Sequence, residues 1–142
     1  MKATELQIFD WVYNSYHKKN IQWNHREMFC PNGNPVIGKD LYPIPLTPEI
    51  LKKNGWKKHA TYGNAEDGTL EEIYMLYQHS FEVVFDSKEA ISIRHFVSEE
   101  DDGYDKLLIE YRDNGYKPMY VHTLQHALRL YGLDELADNF LI

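Results

Sequence analysis

The sequence predicts an α+β fold: an antiparallel sheet of about five to seven strands packed by a C-terminal helix, with a small N-terminal β element and a short connecting helix. Three observations carry that reading. "LEEIYMLYQ", "SFEVVFD" and "AISIRHFV" follow one another as short apolar-rich runs, and the turn "DSKE" joins the last two as a hairpin. "YVHTLQHALRLYG" has the period of a helix. Aromatic residues make up 14% of the chain, with 11 Tyr and 3 Trp, which suits sheet faces. At 142 residues the chain is read as a single domain, with residues 1–40 forming the N-terminal β element and 41–142 the main unit.

Each element has a local reason. "TELQIFDWVYN" alternates, with Leu6, Ile8 and Val12 on one face and Phe9, Trp11 and Tyr13 on the other, so it reads as a strand covered on both sides. "NIQWNHREMF" reads as a second, more polar strand. "CPNGNPVIGKD" is dense in turn residues. In "PIPLTPEILKKNGW", Pro43 and Pro45 hold the chain extended, Thr47 is the N-cap, and Pro48 takes the first helical position. Asn54 and Gly55 close this short helix in a left-handed cap. "SEEDDGYD" reads as a solvated acidic loop whose spacing does not fit a calcium loop. The Asn114-Gly115 pair marks a further hairpin.

The bulk numbers narrow the function classes. A formal net charge of −7 argues against non-specific nucleic-acid binding. A local aromatic and basic patch remains a candidate: Trp56 with Lys57 and Lys58, and Lys52 and Lys53 nearby, although lysines at a helix C-terminus are favourable on their own account. The lone Cys30 excludes a disulfide within the chain and fits a reducing compartment. No apolar run reaches the roughly 18 residues of a membrane span, and the opening lacks a signal peptide's apolar core, so the expected location is cytoplasmic. Phosphate-binding, dinucleotide-binding and nucleophile-elbow motifs are all missing, which points away from an enzyme and from any cofactor.

The C-terminal helix raises the sharpest question. At about 100° per residue, Val121, Leu124, Ala127, Leu128 and Tyr131 form an apolar stripe. His122, Gln125, His126 and Arg129 gather on the other side. Gly132 ends the helix, with Leu133 folding back onto it. Two histidines four apart have the spacing that zinc hydrolases use, but Thr123 stands where H-E-x-x-H has its general base, and Arg129 would repel a cation. No metal ligand set is therefore expected. The four polar residues are either a face that hydrogen-bonds neighbouring backbone or a recognition surface for a phosphate or carboxylate. On the first reading His122 matters to folding and His126 is nearly silent.

"PIPLTPEILKKNGW" and "YVHTLQHALRLYG" together resemble a family of small uncharacterised proteins from phages and prophages of gut bacteria. The likeness covers most of the chain from Leu41 onward, and its closing signature is Tyr120, Val121, His122, Leu124 and Gln125. The resemblance implies a phage-encoded accessory protein in the bacterial host cytoplasm. It supplies no activity and no catalytic residues, and in that family the position of His126 is often another polar residue.

Three functions follow as expectations. The first is a non-enzymatic protein that binds a host protein and inhibits a defence system, with a homodimer compatible with the sequence. The second is a binder of a small nucleotide signal, using aromatic stacking and the His122, Gln125 and Arg129 face. The third is a metal-dependent hydrolase.

Overall fold

Backbone chemistry at the helix ends sets much of the local architecture. In the computed structural model, which describes residues 5–24, 40–86, 89–98, 105–111 and 119–142, the short helix α1 spans Pro48–Lys53. The Thr47 hydroxyl accepts a hydrogen bond from the Ile50 amide at 3.2 Å, and Pro48 opens the first turn. At the other end Gly55 adopts φ 83°, which lets the Trp56 amide reach the Leu51 carbonyl and the Gly55 amide reach that of Lys52. Leu51 and Trp56 are both buried, completing the hydrophobic half of the motif. Helix α2, Val121–Leu130, ends the same way: the Leu133 amide bonds to the Leu128 carbonyl and that of Gly132 to Arg129.

The fold is α+β with two antiparallel sheets. One has three strands in the order β2-β1-β3, where β1 is Trp11–Asn14, β2 is Lys19–Gln22 and β3 is Leu41–Pro43. The other has five in chain order: β4 Lys57–Tyr62, β5 Glu71–Leu76, β6 Phe81–Asp86, β7 Glu89–Ser98 and β8 Asp105–Tyr111. The chain divides into two compact units.

The first unit comprises Met1–Ile44 with Tyr120–Phe140, so α2 and the last helix α3, Asp134–Asp138, group with the three-stranded sheet. Its core joins Val12, Ile21, Trp23 and Leu41, with Leu6 and Ile8 packed against them. The apolar stripe of α2 is buried as expected at Val121, Leu124, Ala127 and Leu128. The second unit comprises Pro45–Met119 with Leu141–Ile142. There Phe81, Val83, Val84 and Phe85 of the central strand β6 are buried, as are Ile91 and Ile93 of β7.

Three differences from the sequence reading have physical causes. The opening strand is shorter than its alternation suggests, because Gln7 to Asp10 form a turn. The Asp10 carboxylate accepts the Gln7 amide at 2.7 Å, the Asp10 amide donates to the Gln7 carbonyl, and Phe9 takes φ 70°. The second strand ends at Gln22, because regular pairing stops opposite Asp10: the Trp23 amide still donates to the Asp10 carbonyl, but the Asp10 amide turns to Gln7 and the Phe9 amide takes the Trp23 carbonyl. Residues 25–29 of the expected strand lie outside the described residues. Strand β4 is an addition to the expected set. Five of its six residues are exposed, so no apolar alternation announces it, and ladder pairing to β5 alone defines it. The turn-rich stretch around Cys30, the acidic loop and the Asn114-Gly115 hairpin lie outside the described residues.

Candidate functional site

The polar residues of α2 converge on the N-terminal turn of the same unit. Asp10 sits between two large aromatics in "IFDWV", and its carboxylate is fully buried. A buried acid needs partners, and the fold provides them. Oδ2 lies 2.5 Å from Nε2 of His126, and Oδ1 accepts from Nη1 of Arg129 at 2.6 Å. A carboxylate has no hydrogen to give, so Nε2 carries the ring proton and His126 donates. Arg129 reaches further, to Asp138 Oδ1 at 3.1 Å through Nε and to Gln7 Oε1 at 3.1 Å through Nη1. One helical face thereby ties the N-terminal turn to α3.

Gln125 is fully buried and completes that tie. Its Oε1 accepts the Trp11 amide at 2.9 Å, while Nε2 donates to the carbonyls of Phe9 and Ala137, each at 2.9 Å. Both hydrogens of the amide and its oxygen are in use. Trp11 and Gln22 add their own bonds to the C-terminal segment, to the carbonyls of Phe140 and Asp138.

His122 is 8% exposed, stacks on Tyr120 at 5.9 Å between ring centroids, and meets His126 edge-on at 5.6 Å. Its Nδ1 is buried and finds no hydrogen-bond partner among the described residues. Burial holds its imidazole below the ordinary range. Asp10 and Glu5 pull the other way, and His126 adds to the lowering.

So the four residues His122, Gln125, His126 and Arg129 are brought together, as their spacing implies. Gln125 is fully buried, His126 and Arg129 are partly buried, and all three are hydrogen-bonded within their own unit. His126 is not idle: it holds the buried carboxylate. Asp10 is the residue that sequence reasoning misses, and its signal is an acid inside an apolar aromatic run. No group of three or more His, Cys, Asp or Glu among the described residues is arranged to hold a metal ion.

The aromatic and basic patch divides. Trp56 is 3% exposed, because it is the residue that folds back over the end of α1, and it offers no surface ring. Lys57 and Lys58 are exposed on β4, and Lys58 pairs with Glu72 at 3.2 Å. Lys52 lies 5.8 Å from the centre of the Tyr74 ring. Lys52 and Lys58 border an open groove with Thr47, Pro48, Glu49, Glu72 and Tyr74. Different aromatics reach solvent: Tyr16 is 75% exposed, Tyr62 60%, and Tyr42 and Tyr77 each 52%. The Tyr77 hydroxyl lies 2.9 Å from Nδ1 of His59, on the five-stranded sheet.

No described helix is long and apolar enough to cross a membrane. Compared with family models, curated proteins and solved structures, the chain matches none of them.

Proposed function

We propose that this chain is a non-enzymatic accessory protein, phage-encoded, that binds a host protein and inhibits a bacterial defence system. The observation that carries the binding role is the contrast between two sets of side chains. Gln125, His126 and Arg129 of α2 are hydrogen-bonded inside their own unit and His122 is buried there, while four tyrosines stand more than half exposed. Tyrosine presents a large, rigid contact area with a hydroxyl at its tip, and it is enriched among the residues that dominate binding energy. The phage part rests on the resemblance of the two long motifs; a defence component is the class of host target proposed for an acidic surface with exposed aromatics.

The test is affinity capture from host lysate, followed by reconstitution with the purified captured protein. A stoichiometric complex is expected, with at least one of Tyr16→Ala, Tyr42→Ala, Tyr62→Ala and Tyr77→Ala weakening it about tenfold or more. A chain that captures no protein, or a complex indifferent to all four changes, contradicts the reading.

The groove beside α1 favours a second reading, a binder of a small nucleotide signal, through Lys52 and Lys58. Glu49 and Glu72 on the same walls oppose phosphate, and the buried Tyr74 leaves little ring for stacking. Calorimetry with nucleotides separates the two readings.

A further inference from the structure

We propose that His122 is an acid-triggered release within the first unit: when its imidazole takes up a proton, α2 loosens from the N-terminal turn. The geometry is that of a neutral ring in a closed setting. The side chain lies almost wholly inside, flat against Tyr120 and edge-on to His126. Nδ1 has no acceptor within reach among the described residues. An imidazolium must donate from both nitrogens, so a proton there creates a buried charge with an unmet donor.

The groups that could compensate are already occupied. Asp10, from the N-terminal turn, takes hydrogen bonds from Gln7, His126 and Arg129. Arg129 is itself a fixed positive charge on the same helix, and Asp138 of α3 is bound to it. His126 meets the ring edge-on and its Nε2 is already committed to Asp10. Glu5 favours a charged His122, and Asp10 does so more strongly, yet desolvation outweighs them.

The direction in pH follows. The folded unit holds His122 below its ordinary 6.5. Its contribution to stability is therefore complete above about pH 6.5 and is lost as pH falls below that value. The opening is local, because the residues concerned belong to α2, the N-terminal turn and α3 of one unit.

Hydrogen exchange, corrected for intrinsic rates, tests this on the full chain between pH 7.5 and 5. The amides of α2 and of β1 are expected to lose protection about tenfold, while those of β5 and β6 stay protected. His122→Phe keeps a flat ring and removes the titration, so its α2 should hold protection across the range. Nuclear magnetic resonance of the wild-type His122 ring gives an independent reading, even where the variant does not fold. A ring that titrates below 6.5 in step with the α2 amides supports the release. Titration at or above 6.5, unchanged α2 protection, equal loss in β5 and β6, or the same opening in a folded His122→Phe overturns it.

Discussion

Nε2 of His126 lies 2.5 Å from Oδ2 of Asp10, across a separation of 116 residues in the chain. That contact decides how the polar face of α2 is understood. Histidines four apart could have been a metal clamp or a wet surface. Here one of them holds a buried carboxylate that Arg129 also grips, and a cation entering between them would meet the guanidinium.

Purified protein is accordingly expected to carry no stoichiometric zinc. Mass-spectrometric metal analysis checks this directly. One zinc per chain, lost in both His122→Ala and His126→Ala, would restore the hydrolase reading.

Gln125→Leu should destabilise the chain by about 3 kcal/mol. The substitution keeps the volume but strands the Trp11 amide and the carbonyls of Phe9 and Ala137. Urea unfolding followed by tryptophan fluorescence measures it. A loss under about 0.5 kcal/mol would mean those backbone groups find other partners.

Leu124→Ala should cost about 3 kcal/mol, since Leu124 is fully buried on the apolar stripe. A thermal melt unmoved by the change would show that α2 does not dock through this stripe.

Thr47→Ala removes the hydroxyl that accepts the Ile50 amide and should cost about 1 kcal/mol. Thr47→Ser should restore most of that loss in the same unfolding assay. Equal stability of all three proteins would show that the cap contributes nothing.

What is legible in the sequence is local. Thr47, Pro48 and Gly55 act on amides a few residues away, and Gly132 with Leu133 does the same for α2, so their roles follow from spacing. The central strands β5 to β7 announce themselves through apolar content, and the stripe from Val121 to Leu128 through its period. Strand β4 does not, because "KKHATY" is mostly polar and exposed, so only its pairing to the next strand, β5, defines it. Asp10 reads as part of an alternating strand because its partners His126 and Arg129 are more than a hundred residues distant. Gln125 groups by type with the polar face, although at about 100° per residue it stands only about 40° from Val121. An amide that close to the apolar stripe is a candidate for burial with its bonds satisfied, as found here.

His126 and Arg129 of α2 are fastened to the N-terminal turn through Asp10. A double-mutant cycle between Asp10→Asn and Arg129→Met tests this most directly, with unfolding free energies measured in urea at pH 7.5. Asp10→Asn alone should cost about 3 kcal/mol, because it removes the buried charge that faces the guanidinium and leaves Arg129 only Asp138 as an ionic partner. The two changes together should cost less than the sum of the singles by at least about 1.5 kcal/mol. Costs that add to within about 0.5 kcal/mol would contradict the fastening and leave the α2 face a surface open to a ligand.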